Sequence, residues 1–357
     1  MTRRIAVILV QHGQWQDTVA CLQSLVFAVS AGDARVIVVD NASPDDSLEQ
    51  VTRWIDGAGV DTPRPVHDTV AAHWWPLAGA SGASWALLPE SWREASEPAP
   101  WTLCARTVND GFAAGMNHGI RIALDDPKVD GIWLLNNDAV VDGGAVAAIR
   151  QALADAPPRV GQFGTTVCYY DRPTIVQSVG WCEWNAWLAT SRRVHDGASL
   201  NQPLTREVRE PGYIYGASWV LRPAALRDVG LLSEDGFLYG EELDWTRRAA
   251  GRWEPRLIAD ATVWHHEGAT VGAGARRIAQ RSELADLCGI SARLRLTRRF
   301  FPGRLPTVYL SLLGAIVNRL RRGDLRRAAV VARLIMGGGL PAPRPEPAAD
   351  HSPSDTP

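Results

Sequence analysis

Residues 132–138 read Ile-Trp-Leu-Leu-Asn-Asn-Asp, and this stretch decides the fold prediction. Its apolar half is typical of a strand that is buried on both faces, and it ends in two amides and a carboxylate. Two earlier runs, Ile5–Val10 and Val36–Val39, have the same apolar character, and a segment with helical periodicity follows each. This alternation predicts an α/β fold with a mostly parallel sheet. Polar residues after such strands, here Asp40 and Asp138, lie at the ligand-binding edge of the sheet.

A capping motif follows the second of these strands. Ser43 is suited to the N-cap of a helix, Pro44 to its first turn, and Asp46 to the place where a capping box has a carboxylate. We therefore expect a helix to begin at Ser43 and to carry Leu48, Val51 and Ile55 on its inner side.

The rest of the chain divides by composition. Residues 57–100 are rich in Gly, Pro, Ala and Trp, and we interpret them as an insertion over the sheet. Strands and helices alternate less regularly over residues 156–270, where one of the predicted strands lies near Tyr213–Leu221. Residues 271–340 are predicted to be helical and Arg-rich, and the Pro-rich residues 341–357 are predicted to form a disordered tail.

Charge and composition exclude several classes of protein. The 357 residues are 46% hydrophobic with a formal net charge of −2, which argues against a nucleic-acid partner. The charge is uneven, because residues 276–334 hold fourteen arginines against three acidic residues, whereas residues 1–275 carry a net charge of −11. The five cysteines form no CxxC pair, which excludes a zinc ribbon. The sequence has no apolar segment of the roughly 20 residues that a membrane-spanning helix needs. We therefore predict a cytoplasmic enzyme.

Asp138 is the first candidate for chemistry. One or two carboxylates suffice to hold Mg²⁺ or Mn²⁺ when diphosphate oxygens and water complete the coordination. The alternative is a simple turn, since Asn and Asp favour turns. The same choice applies to Asp40 and Asn41, where the carboxylate either accepts a hydrogen bond from a nucleotide base or ends a strand.

Three acidic residues crowd the first turn of a predicted helix. Glu241, Glu242 and Asp244 follow Tyr239 and Gly240. The structural interpretation is that acids complement the helix dipole there, with Asp244 paired to Arg248. The functional interpretation is that one carboxylate takes a proton from a hydroxyl group. Further along, His265 and His266 are either structural residues or metal ligands.

Six motifs occur in one order along the chain. They are VVDNAS at 38–43, NDGFAAGMNHGI at 109–120, LLNND at 134–138, YGASWV at 215–220, FLYGEELDW at 237–245 and VWHHEG at 263–268. This series closely resembles the family 2 glycosyltransferases, especially their rhamnosyltransferase-like branch, over about residues 4–300. Two details depart from the family's pattern: Glu242 replaces the usual Asp, and the first motif reads Gln11-His12-Gly13 where relatives often have Asn-Tyr-Asn.

The resemblance implies a GT-A fold, with a Rossmann-like, mostly parallel sheet, helices on both faces and a helical carboxyl-terminal arm. The glycosyltransferase domain would cover residues 1–270, divided into a nucleotide-binding half at about 1–140 and an acceptor half at about 141–270. The implied reaction is inverting transfer of a sugar from a nucleotide diphosphate, in one displacement assisted by Mg²⁺ or Mn²⁺. A dTDP-L-rhamnose donor is favoured over a UDP-sugar, and the acceptor would be a glycan, a lipid-linked sugar or a small molecule.

The resemblance also implies roles for individual residues. Glu242 would be the catalytic base, with Glu241 and Asp244 as alternatives. The metal would be held by Asp138, by His265 as first choice and by His266 as second. The donor-binding residues would be Gln11, His12, Asp40, Asn41, Arg106, Asn109, Gly111, Phe112, Asn117, Asn136, Asn137, Gly216 and Ala217.

Other interpretations stay open. A sugar-nucleotide nucleotidyltransferase also has a Rossmann-like sheet and a metal, and a non-catalytic protein that binds nucleotide sugars or glycans would share the same pocket. Residues 290–334 carry arginines on both sides of the apolar stretch Val308–Val317. They either form a solvated helical face or contact the inner face of the plasma membrane.

Overall fold

The predicted buried strands assemble into one large sheet. The computed structural model describes residues 3–58, 60, 68–71, 85–88, 99–266 and 283–338. Its strands are β1 Arg4–Gln11, β2 Ala34–Asp40, β3 Trp85–Leu88, β4 Trp101–Ala105, β5 Val129–Leu135, β6 Ala139–Val141, β7 Val160–Tyr169, β8 Val176–Ser178, β9 Trp181–Asn185, β10 Thr190–Arg193, β11 Gly212–Ile214, β12 Ser218–Leu221 and β13 Glu254–His265. Its helices are α1 Trp15–Ser30, α2 Ser47–Ile55, α3 Asp68–Ala71, α4 Phe112–Leu124, α5 Ala145–Asp155, α6 Pro223–Val229, α7 Glu241–Ala249, α8 Glu283–Phe300, α9 Leu305–Arg321 and α10 Leu325–Ile335.

Strand order in the large sheet is β3-β4-β2-β1-β5-β12-β7-β13-β6, and β8 pairs with β7. The first five of these strands run parallel to one another, and β7 runs parallel to β13. Strand β12 is inserted antiparallel between β5 and β7. A separate small sheet has the order β10-β9-β11. The carboxyl ends of β1, β2, β4 and β5 therefore meet at one edge.

Helices cover both faces of the large sheet. Alternate residues of the buried strands point to opposite sides: Val7 joins the core under α1, α2 and α5. Ile8 joins the core under α4, α6 and α7. A third core lies among α8, α9 and α10. This arrangement confirms the predicted α/β class, with a mostly parallel sheet, helices on both faces and a helical carboxyl-terminal region.

Two local predictions differ from the structure. The second helix begins at Ser47, not at Ser43, because the Ser43 hydroxyl donates a hydrogen bond to Asp40 instead of capping the helix. The predicted strand over 213–221 is divided into β11 and β12, which belong to different sheets and are joined by a turn at 215–217. That turn becomes part of the candidate site.

Parts of the sequence predictions fall outside the described residues. They include Trp74, Trp75 and Trp92 of the Trp-rich insertion, and the tail at 341–357. Within the described part of the chain, no helix combines the length and the apolar character that a membrane crossing requires.

A buried ionic cluster links the amino-terminal ends of β1 and β2, at the edge of the sheet opposite the carboxyl ends of the strands. The Asp126 carboxylate accepts hydrogen bonds from the guanidinium groups of Arg4 and Arg35, and Arg35 also donates to Thr102. Both Asp126 and Arg35 are 2% exposed. Burial alone would raise the pKa of Asp126, but the backbone N–H of Lys128 and the two guanidinium groups outweigh it and lower the pKa.

Removing this carboxylate leaves a buried arginine without its counter-ion. We expect Asp126→Asn to lower the free energy of unfolding by about 3–5 kcal/mol, measured by urea denaturation. The control is Glu207→Gln, which breaks the exposed pair between Glu207 and Arg209 and should change stability by less than about 1 kcal/mol. Equal effects of the two variants would contradict the importance of the cluster.

Candidate functional site

The ends of β1 and β2 form a hydrogen-bonded corner. Gln11 Nε2 donates to Asp40 Oδ1 across the strand pair at 2.8 Å. The Ser43 backbone N–H donates to Asp40 Oδ2 at 3.1 Å, and the Ser43 hydroxyl accepts from the backbone N–H of Gly13. The ring of half-buried His12 is bonded through Nδ1 to the Asn41 carbonyl. Asp40 is thus fixed at the sheet edge rather than free in solvent.

A second network joins the ends of β2 and β4. Arg106 Nη1 donates to Asn41 Oδ1 at 2.5 Å, and Asn41 Nδ2 donates to Asn109 Oδ1 at 2.7 Å. Asn109 Oδ1 also accepts from the backbone N–H of Gly111. These bonds place one guanidinium group and several amides beside Asp40.

The start of α4 is pressed against the segment before α7. Gly111 has φ of +103°, and a Cβ at this position would overlap the carbonyl oxygen of Phe237. The Phe112 N–H donates to that same carbonyl at 3.0 Å. One turn later, the side chain of Asn117 is bonded to both backbone groups of Leu232 and to Glu234. Asn117 therefore holds the loop that leads to the acidic residues.

Strand pairing brings Asp138 to His265. Antiparallel pairing of β6 with β13 sets His265 opposite Ala139. The result is a distance of 3.1 Å between Asp138 Oδ1 and His265 Nε2. Both side chains are buried, at 5% and 4% exposure. Burial alone would raise the pKa of Asp138, but the nearby imidazoles of His265 and His266 lower it.

Gln177, bonded to the Nδ1 of His265, determines the tautomer of the neutral ring. Gln177 Nε2 donates to the His265 carbonyl, so Gln177 Oε1 faces the ring and accepts from Nδ1–H at 2.9 Å. Nε2 therefore carries a lone pair, and the Asn136 side-chain amide donates to it at 3.0 Å. Because that nitrogen also faces a carboxylate oxygen of Asp138, a proton or a cation between the two would be favourable.

His266 and Asn137 are placed differently. The His266 N–H donates to the Asp138 carbonyl, and its ring stacks on Tyr170 with 3.6 Å between ring centroids. Burial lowers the pKa of His266. Asn137 donates to Thr18 on α1. His265 is thus the histidine whose ring reaches the Asp138 carboxylate.

The three acidic residues of α7 occupy three environments. Asp244 is neutralised by Arg248 at 2.6 Å and by Arg299 at 2.8 Å. Glu241 is 2% exposed, and its Oε1 has no hydrogen-bond partner in the described part of the chain. Burial, reinforced by the charge of Glu242, raises the pKa of Glu241 to about 8. Glu242 is half-buried, and burial raises its pKa as well.

The backbone before α7 is strained at Tyr239 and Gly240, and this turn sets the direction of the acidic side chains that follow it. Tyr239 has φ of +71° and Gly240 has φ of +96°, and a positive φ is costly for a residue with a bulky side chain. Arg295 on α8 stabilises this turn by donating to the Tyr239 carbonyl at 2.8 Å. The Glu242 side chain then lies against Gly216, where any Cβ would overlap its carboxylate.

The turn between β11 and β12 connects the two groups. Its Gly216 contacts Glu242, and its Ala217 carbonyl accepts from the backbone N–H of Asn136 at 3.1 Å. The hydroxyl of Tyr215 donates to Gln177, the partner of His265. The turn is therefore connected to Glu242 through Gly216 and to the Asp138–His265 pair through Asn136 and Gln177.

Sequence reasoning missed several residues of this site. Gln177 and Tyr170 lie in segments without a motif. Tyr215 begins the YGASWV motif, but the pattern gives its side chain no role, and only the fold brings these three residues to the histidines. Asp17 on α1 is near enough to Asp138 that burial and this second carboxylate raise its pKa to about 6. The sequence around Asp17 in α1 does not indicate that this side chain lies near Asp138. Among the residues described, no cluster of three or more His, Cys, Asp or Glu side chains has a geometry suited to holding a metal.

Comparisons with known proteins concern the fold. No protein-family model and no curated protein sequence matches the chain. The solved structure of GalNAc-T7 with UDP, GalNAc and Mn²⁺ is similar at a TM-score of 0.52 and 13% identity, covering 83% of this chain and 48% of that one. This chain thus spans about half the length of GalNAc-T7.

Two further structures are similar over most of their length. The mannosyltransferase PcManGT from Pyrobaculum calidifontis, in complex with GDP-Man and Mn²⁺, matches at a TM-score of 0.45 and 13% identity, over 94% of this chain and 80% of that one. S. aureus TarS 1–349 matches at 0.42 and 11% identity, over 94% and 92%. These neighbours are GT-A-type glycosyltransferases. The chain has the GT-A fold that its motifs predict.

Proposed function

We propose that this protein is a glycosyltransferase that moves a sugar from a nucleotide diphosphate to an acceptor hydroxyl with inversion at the anomeric carbon. The observation that supports the proposal is the set of contacts of the turn at 215–217. Gly216 contacts Glu242, and Ala217 and Tyr215 bond to Asn136 and Gln177, the partners of His265 beside Asp138. The Asp138–His265 pair is suited to binding a diphosphate together with its cation. The Glu242 carboxylate is suited to accepting the proton of an acceptor hydroxyl. The GT-A fold supports the same function.

Asp138 and His265 fit a divalent cation. The 3.1 Å between Asp138 Oδ1 and His265 Nε2 is close to the separation of about 3 Å between adjacent ligands when bond lengths are about 2.1 Å. Gln177 orients the imidazole as an outer partner of a metal-bound histidine does. An imidazole ligand favours Mn²⁺ over Mg²⁺, which takes mainly oxygen ligands. A cation bound there supplies a Lewis acid for the charge of the leaving diphosphate.

Glu242 is the acid we assign as the base. Asp244 is held between two arginines, and buried Glu241 is mostly protonated near neutral pH because its pKa is about 8. Glu242 is half-buried and lies against Gly216 in the turn at 215–217. Its carboxylate takes the acceptor proton as the oxygen attacks the anomeric carbon on the face opposite the leaving group. No covalent bond between sugar and protein is formed.

The donor is held at the ends of β1, β2 and β4. Asp40 is oriented by Gln11 and by Ser43, and it accepts a hydrogen bond from the N–H of a pyrimidine base. Arg106 and Asn41 provide further polar groups beside it. Within this class we favour dTDP-L-rhamnose over UDP-sugars, on the resemblance of the motifs to the rhamnosyltransferase-like branch.

A ligand screen tests the function. The protein is melted with Mn²⁺ and each of a panel of dTDP-, UDP- and GDP-sugars, and a true donor at 100 times its Kd should add about 2.7 kcal/mol to stability. That donor is then offered with acceptors while its consumption is followed. Stabilisation without consumption would indicate a binding protein, and release of pyrophosphate would indicate a nucleotidyltransferase; either result would overturn the proposal.

Glu242→Gln removes the base but keeps the size of the side chain. We expect turnover to fall by about 10²–10⁴-fold, with donor affinity unchanged in calorimetric titration. Glu254→Gln, at the exposed pair with Arg159, is the matched control and should keep normal turnover. Full turnover by the Glu242 variant with normal donor binding would remove this residue from the mechanism.

Glu241 makes stability depend on pH. Because its pKa in the folded protein is about 8 and its ordinary value is 4.5, its contribution is complete below pH 4.5 and is lost as the pH rises toward 8. Glu241→Gln avoids this loss, so the melting temperature of the variant relative to the natural protein should rise by at least about 2 °C between pH 5 and pH 8. Glu254→Gln should show no such trend. A constant difference for Glu241→Gln would mean that Glu241 is ionised.

Gln177 is a positioning residue for His265. Gln177→Leu removes the acceptor of Nδ1–H, and we expect Mn²⁺ affinity to fall by about 10–100-fold. The readout is the electron paramagnetic resonance signal of free Mn²⁺ in a titration without donor. Gln177→Glu keeps an acceptor and should bind Mn²⁺ more tightly than the Leu variant. Equal affinities in all three proteins would show that Gln177 does not orient a metal ligand.

A further inference from the structure

Helix α9 presents an apolar face to solvent. Val308 and Leu312 are fully buried against the neighbouring helices. The opposite side carries four large apolar residues at spacings of three and four, which place them on a single stripe. Their exposed fractions are Leu310 70%, Leu313 51%, Val317 46% and Leu320 48%. Such a stripe is unusual on a surface helix, whose outer face is normally polar.

The hairpin between β9 and β10 extends this apolar surface. Its tip holds Trp187 and Leu188, which are 53% and 44% exposed. The tip is fixed to α9, because Thr307 donates to the Trp187 carbonyl at 2.6 Å. The Arg304 guanidinium lies 3.5 Å from the centre of the Trp187 ring. We call the four residues of the stripe together with Trp187 and Leu188 the apolar platform.

Positive charge borders the platform. Arg321 and Arg322 end α9 directly after the stripe, are exposed, and have no acidic partner among the residues described. On α10, Arg326 pairs with Glu283 at 3.0 Å, and the neighbouring Leu325 is 67% exposed. The apolar platform next to the unpaired Arg321 and Arg322 is complementary to a partner that has an apolar interior and a negatively charged surface.

We propose that the apolar platform docks onto an anionic lipid bilayer. The stripe residues enter the boundary between headgroups and acyl chains, Trp187 lies at that boundary, and Arg321 and Arg322 bind lipid phosphates. A second copy of this chain is a poorer occupant, because pairing the same face would bring like-charged arginines together. The helix lies in the plane of the surface, since no described helix is suited to crossing it.

Helix α8 links the platform to the candidate site. It packs against α9 and carries Arg295 and Arg299, which hold the Tyr239 carbonyl and Asp244. Docking would therefore hold Glu242 at a fixed place relative to the lipid. Resting on the proposed function, this geometry favours acceptors that are anchored in the bilayer over acceptors free in solution.

Vesicle sedimentation with the full chain tests the docking without any nucleotide or acceptor. Vesicles of phosphatidylcholine with about 30% phosphatidylglycerol are compared with pure phosphatidylcholine, at about 0.05 M and about 0.5 M NaCl. We expect binding to the anionic vesicles that weakens at high salt. The double variant Arg321→Gln with Arg322→Gln should bind about 25-fold more weakly, at about fivefold for each arginine.

A second double variant, Leu313→Gln with Val317→Gln, tests the apolar part. It should lose most of the binding at both salt concentrations, since buried apolar area contributes independently of salt. The control is Phe27→Gln, which removes a side chain on α1 that is 75% exposed and lies outside the platform. Melting temperatures close to that of the natural protein show that the variants are folded.

Two results would overturn the proposal. One is binding that is absent, or that none of the platform variants weakens. The other is a dimer in sedimentation velocity that the Leu313 and Val317 variant dissociates while no vesicle binding is seen, which would assign the platform to a second copy. Because these readouts need no donor, they succeed or fail separately from the proposed sugar transfer.

Discussion

The pairing of β6 with β13 is the constraint on which the candidate site depends. It sets Asp138 and His265 side by side, both nearly excluded from solvent. A buried carboxylate is costly unless it is paired or hydrogen-bonded, so the protein has to surround it with complementary groups. His265 lies 3.1 Å from that carboxylate, and Gln177 and Asn136 in turn fix the imidazole on both sides. The same requirement explains why the turn at 215–217 lies so close: its Tyr215 and Ala217 complete the bonding of Gln177 and Asn136.

Much of the sheet could be predicted from sequence because parallel strands buried on both faces are continuous apolar runs. The polar residues that follow them, such as Asp40 and Asp138, therefore mark the ligand edge without knowledge of the fold. Gln177 could not be found in this way, since it lies on a three-residue strand and acts only through a partner distant in sequence. Ser43 was misassigned as a helix cap because its local pattern is right, but a hydrogen bond to Asp40 competes with the capping bond.

The acids of α7 show why composition alone does not assign a catalytic group. Asp244, Glu241 and Glu242 lie within one helical turn, yet one is bonded to two arginines, one is buried without a partner for its Oε1, and one faces the turn at 215–217. Two neighbouring carboxylates in a buried place cannot both be ionised cheaply. Burial accordingly raises the pKa of both glutamates, and for Glu241 the charge of Glu242 adds to burial and brings the pKa to about 8.

The carboxyl-terminal arginines divide in a comparable way. Counted from sequence, they form one basic arm beside an acidic body, but in the structure Arg295, Arg299 and Arg319 point inward and bind the Tyr239 carbonyl, Asp244 and Asp286. Exposed Arg321 and Arg322 form an outward set, which pairs with no acidic group among the described residues and adds positive charge to the surface. The inward set makes α8 a rigid support for the strained turn before Glu242, and the outward set lies on the helix that packs against α8. Under the proposed docking, one side of the arm supports the turn before Glu242 and the other side meets the lipid surface, and the α8–α9 contact connects the two.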